Sequence, residues 1–183
     1  MNAKINAKAM TKIALFTALI AVGAFIKIPI PVMPFTLQFL FTMLAGLLLG
    51  GKQGAAAVLC YIFIGLIGLP IFAEGGGISY VFQPTFGYLI GFVIATYVTG
   101  TIVNQTAAPS IKRLLAANFI GLVILYVCGM VYYWLISTLY IGTDIGFWTL
   151  FLYCFVLAVP GDIFLCFVAA FISKRLIPAL RNL

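Results

Sequence analysis

Histidine is absent from this 183-residue chain, and its acidic residues number only three: Glu74, Asp144 and Asp162. Without histidine, the commonest general base and the serine–histidine and cysteine–histidine nucleophile pairs are missing. Intramembrane aspartyl proteolysis needs two carboxylates that share a proton, and only Asp162 falls within a long apolar run. No GxxxxGK[ST] loop occurs, so the usual cradle for ATP phosphates is missing too. Lys52 follows Gly50 and Gly51, but on a turn without that pattern. The four cysteines, Cys60, Cys128, Cys154 and Cys166, all lie inside apolar runs without paired metal spacing. They read as small buried hydrophobes rather than metal ligands. These absences point away from an enzyme and from a resident metal or cofactor.

What the chain has is apolar length. Hydrophobic residues make up 65% of it and charged residues 7%, with a mean hydropathy of +1.26. No soluble domain of this size could hide so much apolar surface. The composition therefore predicts a single membrane-embedded, all-α domain over residues 1–183. Proline, glycine and polar breaks divide it into six expected transmembrane spans: 13–28, 35–49, 54–69, 85–103, 114–139 and 146–171. The net charge of +7 would suggest nucleic acid in a soluble protein, but here the basic residues flank apolar runs. Nine of the ten basic residues fall on the side of the termini under this threading, with only Lys27 opposite. That bias predicts cytoplasmic termini, a multi-pass protein of the cell membrane, and no nucleic-acid partner.

Asp162 is the one formal charge inside the last apolar run, which reads GFWTLFLYCFVLAVPGDIFLCFVAAF. A carboxylate at membrane depth is costly unless paired or hydrated, and so marks a functional site. Pro160 and Gly161 precede it and predict a helix break facing protein or a wet cavity. With Asp162 expected about midway along its span, two outer loops would close over it. One is KIPIPVMP at 27–34, which its prolines hold extended. The other is IFAEGGGISYVFQP at 71–84, whose three glycines allow close backbone approach. Gln38, Ser79, Tyr80, Gln83 and Tyr88 would supply hydrogen bonds, and Lys27 is the one outer cation. Phe82, Tyr88 and Trp148 could pack an apolar ligand body. The whole suits a small molecule entering from outside. A stand-alone carrier and an assembly subunit that binds no ligand remain alternatives. Ala14, Ala18 and Ala21 share a helix face at i, i+4, i+7 spacing, which permits close packing within this chain or docking to a partner.

Four segments in order resemble one family: PVMPFTLQ at 31–38, GLIGLPIFAEGGG at 65–77, PTFGYLIGF at 84–92 and PGD at 160–162. The chain is similar to the biotin-specific S component (BioY type) of energy-coupling factor (ECF) transporters, over nearly its whole length. The resemblance implies a six-helix subunit that binds biotin as transported substrate. It would hand biotin to a transmembrane coupling protein and two ATPase subunits, which alone would use ATP. It implies that Asp162 accepts hydrogen bonds from the ureido ring, with Gln38 and Tyr88 in the same site. It favours docking for the Ala14/Ala18 face. Two positions depart from the family: Leu165 stands where PGDxxK has lysine, and Glu74 puts an acid in the glycine loop.

Overall fold

The apolar runs become seven α-helices in the computed structural model, which describes residues 7–28, 34–143, 146–156 and 158–181. Helix α1 spans Ala7–Phe25, α2 Gln38–Leu49, α3 Gly51–Leu66, α4 Phe86–Asn104, α5 Ile111–Ile136, α6 Phe147–Phe151 and α7 Val159–Arg181. Three of these are long and apolar enough to cross a membrane: α1, α4, and α5 with its wide π-turn continuation to Ile141. Helices α2 and α3, of 12 and 16 residues, are apolar but shorter.

Three boundaries differ from the sequence expectation. Residues 50–53 are not a four-residue turn: Gly50 alone turns the chain, with a positive φ of 86°, and Lys52 and Gln53 already belong to α3. The two ends of the proline-rich segment are brought together, because Lys27–Ile28 (β1) pairs antiparallel with Phe35–Thr36 (β2). The last apolar run is not one helix. It divides into α6, a π turn at Leu152–Val156, and α7. Asp162 therefore occupies the first turn of α7 rather than the middle of a span. Pro160 explains the change, since proline is tolerated in a first helical turn, where its missing N–H has no intrahelical role. Residues 29–33, at the centre of the proline-rich segment, and Asp144 lie outside the described residues.

Helix packing uses small residues and side-chain bonds to neighbouring backbones. A Cβ on Gly100 of α4 would come within 2.4 Å of Gly51 N, 2.5 Å of Gly46 O and 2.6 Å of Gly50 C. All three obstacles are backbone, so α2, α3 and α4 meet where only glycine fits. Gly100→Ala is expected to destabilise the fold by about 1–3 kcal/mol, as overpacking does, and a thermal-unfolding shift in detergent would measure it. Buried hydroxyls and an amide tie the helices across the core. Thr17 Oγ1 donates to Ala57 O (3.0 Å), Thr96 Oγ1 to Thr42 O (3.2 Å), Thr99 Oγ1 to Ala117 O (3.2 Å) and Asn118 Nδ2 to Cys166 O (2.9 Å). In an apolar surround each such polar group needs a protein partner.

The two ends of the bundle differ in character. At one end Lys12 and Asn104 line a polar hollow, Lys174 Nζ donates to Pro109 O (2.9 Å), and the Arg113 guanidinium binds Ile102 O, Thr106 and Gln105. The other end gathers the first turns of α2, α4 and α7 beneath the β1–β2 hairpin and the glycine loop.

Candidate ligand-binding site

The glycine loop folds onto the protein because its aromatic residues find seats there. Phe72 is buried between Tyr61 and Tyr80, with ring centroids 5.4 and 4.5 Å away. Gly75 and Gly77 have φ of 124° and 97°, which let the chain reverse. Gly77 N–H then donates to Gly65 O at 2.8 Å, anchoring the loop to the end of α3. Lys27 adds a cross-tie, its Nζ donating to Ala73 O at 2.7 Å. On the opposite wall, Gly161 leaves room for the Phe35 ring, which would lie 2.7 Å from a Cβ there. The hairpin can therefore close on α7 only because position 161 has no side chain.

These contacts enclose a cavity of about 610 Å³, counting the space at its open mouth. Its floor and sides are mostly apolar or aromatic, from Phe35, Phe39, Leu89, Phe92, Leu125 and Ala158. Gln38, Thr36, Tyr80, Thr85, Tyr88, Tyr126, Glu74 and Asp162 supply the polar groups. Asp162 is 6% exposed, and its Oδ2 accepts a hydrogen bond of 2.6 Å from Tyr126 Oη. A carboxylate has about four acceptor positions, so one tyrosine orients it and leaves acceptor capacity at the cavity wall. Gln38 is 4% exposed; its amide lies beside the Tyr61 hydroxyl, and of the two N–H donors on Nε2 at least one is left open at the cavity wall. A buried donor left so costs about 1–3 kcal/mol unless a ligand or water completes it. Tyr80, in the turn above the cavity, is held in its protonated form chiefly by burial, which pushes its phenol upward, with Thr85 as a side-chain partner.

Of the seven residues expected at a ligand, the cavity brings together four: Asp162, Gln38, Tyr80 and Tyr88. Ser79 and Gln83 are exposed and off its wall; Gln83 serves the turn through its backbone, accepting from Phe86 N–H at 3.0 Å. Lys27 reaches the mouth only through Ala73. Phe82 and Trp148 are exposed and stack elsewhere, on Tyr140 and Phe151. Tyr126 was not singled out by sequence, though a signal existed. It shares the buried face of α5 with Asn118, Leu122, Gly129 and Tyr133, and a hydroxyl on the inward face of an apolar span seeks a polar partner. Ala14, Ala18 and Ala21 line a separate shallow, almost wholly apolar groove between α1 and α3, together with Cys60 and Ile64.

A membrane-type helical bundle with a mostly apolar cavity, one oriented acid and a few convergent donors defines a small-molecule-binding membrane protein rather than a hydrolase. The chain belongs to the BioY family, which it matches over residues 1–182. It is 45% identical to the "Probable biotin transporter BioY" of Lysinibacillus sphaericus, over 94% of this chain and 88% of that one. It is 42% identical to the "Biotin transporter BioY" of Thermotoga maritima, over 66% and 71% of the two chains. Its fold is similar to the crystal structure of an S component for biotin from an ECF-type ABC transporter. The TM-score is 0.81 at 26% identity, covering 96% of this chain and 94% of the other.

Proposed function

We propose that this protein is the substrate-binding S component of an ECF-type importer and that biotin occupies the cavity. The observation that carries the reading is Asp162, buried at the cavity wall and aimed by Tyr126. A ureido ring presents two N–H donors and a carbonyl. Asp162 accepts from the N–H edge, and Gln38 Nε2 supplies the N–H that it does not give to Tyr61. Phe39, Leu89 and Phe92 line the cavity where an apolar ring and tail would lie. The β1–β2 hairpin and the glycine loop form the closing side, cross-tied by Lys27.

In the membrane, α1, α2, α3, α4, α5 and α7 make six crossings, with α6 and its π turn lying beside α5 at the cavity end. The termini and the cationic ends of the helices face the cytoplasm of a cell-membrane protein, and the cavity opens outward. The separation of Lys12, Arg113 and Lys174 from the cavity end supports this orientation. A transmembrane coupling protein docks at the alanine groove, and two ATPase subunits on it supply ATP hydrolysis.

The reading is tested by mass spectrometry of small molecules that co-purify with the protein; biotin is the expected species, and a different resident ligand would redirect it. Tyr126→Phe is expected to weaken biotin binding by about tenfold, since hydrogen bonds to charged groups contribute about 1.5–3 kcal/mol. Titration calorimetry checks this, and unchanged affinity would remove Tyr126 from the site.

A further inference from the structure

The cavity has charge of one sign only. Of the residues that form its wall, Glu74 and Asp162 carry formal charges, and both are acids. Leu165, in α7 three residues after Asp162, is buried and apolar. The described basic residues other than Lys27 lie at the far ends of their helices: Lys8 and Lys12 begin α1, Lys52 begins α3, Lys112 and Arg113 begin α5, and Lys174 and Arg175 close α7. Lys27 is exposed, is held on Ala73 O, and has the acid Glu74 next to that carbonyl in sequence. The mouth thus carries one cation and one anion. Helix starts offer little more, because several of their N–H groups are taken. Gln38 N–H points to Thr36 Oγ1 (3.4 Å), Phe86 N–H donates to Gln83 O (3.0 Å), and Tyr88 N–H donates to Thr85 O (3.1 Å).

We propose that the site does not read the ligand's tail as an anion, and accepts biotin with a neutral, amide-linked tail at least as well as the free acid. This rests on the biotin reading given above. A carboxylate entering the cavity would lose water with no cation on the cavity wall, and at the mouth it would meet Glu74 as well as Lys27, whose ammonium is already held on Ala73 O. An amide carbonyl and N–H can bond to Tyr80, Thr85 and the mouth backbone without that penalty. Specificity then lies in the ring end, through Asp162, and the tail end is permissive.

The test is direct titration of the full-length protein in detergent with biotin and, separately, with biotinamide. The expected dissociation constants differ by no more than about threefold in favour of either ligand, or favour biotinamide. A fixed cation would favour the acid by about tenfold or more, and that result would overturn the proposal. Glu74→Gln is expected to move the ratio toward the acid by about threefold; an unmoved ratio counts against it. Lys27→Gln is expected to change both ligands alike, because Lys27 ties the loop. A selective loss of biotin of about tenfold would make Lys27 the carboxylate's partner and overturn the proposal as well. Binding of neither ligand would overturn the biotin reading itself, an outcome distinct from biotin binding alone.

Discussion

Asp162→Ala is expected to weaken biotin binding by about tenfold or more. The substitution removes the acceptor that meets the ligand's N–H edge, and it breaks the 2.6 Å bond from Tyr126 Oη to Asp162 Oδ2. Burying unpaired polar groups costs about 1–3 kcal/mol apiece, and each 1.4 kcal/mol is a factor of ten in affinity. An unmet ligand edge and a broken bond inside the site together make this the largest expected loss from a single side chain. Asp162→Asn separates charge from shape. It keeps a carbonyl oxygen for Tyr126 but turns half of the acceptor edge into a donor that opposes the ligand's own N–H, so binding should still fall by about tenfold. Retained thermal stability in both variants would show that the loss is at the site. Near-native affinity in Asp162→Asn would mean that charge and acceptor count at this position are immaterial.

The second large effect is expected at the groove between α1 and α3. Replacing Ala14 and Ala18 with tryptophan should abolish co-purification with the transmembrane coupling protein while leaving biotin affinity within about twofold. The two alanines are exposed and line the groove between α1 and α3, whereas the inward face of α1 carries Phe16, Thr17 and Ile20. Thr17 pins that inward face to Ala57 O at 3.0 Å, so bulk added at 14 and 18 points away from the cavity and from the core. Small residues let helices approach closely, and large ones hold them apart. Loss of both assembly and ligand binding would mean that the fold was disturbed, and loss of neither would remove the groove as the docking face.

The sequence made some of this legible and hid the rest for physical reasons. Helices α1 to α5 follow from long apolar runs bounded by Gly50, Pro70 and the polar stretch before Ile111, because such breaks act locally. The last run misled because Pro160 can either kink a helix or start one, and only the packing of Phe35 against Gly161 decides between these. Gln38, Tyr80 and Tyr88 were visible as polar groups at span ends near the outer loops. Ser79 and Gln83 looked equivalent to them, but a short 3₁₀ turn at Ile78–Phe82 sends neighbouring side chains in different directions, burying Tyr80 and exposing Ser79. Phe82 and Trp148 looked like pocket aromatics for the same reason that lipid-facing ones do, since composition does not record orientation. The inward face of α5 marked Tyr126 as a hydroxyl in need of a partner, but the partner lies 36 positions away in sequence, which no local pattern carries.

The central claim is that one oriented acid holds the ring of a single biotin in the cavity. Isothermal titration of biotin into the full-length protein in detergent, run in parallel on the Asp162→Ala variant, tests it most directly. The expected result is saturable binding of one biotin per chain, weakened by about tenfold or more in the variant. No saturable heat with the unmodified protein, or an affinity that Asp162→Ala leaves unchanged, would contradict it.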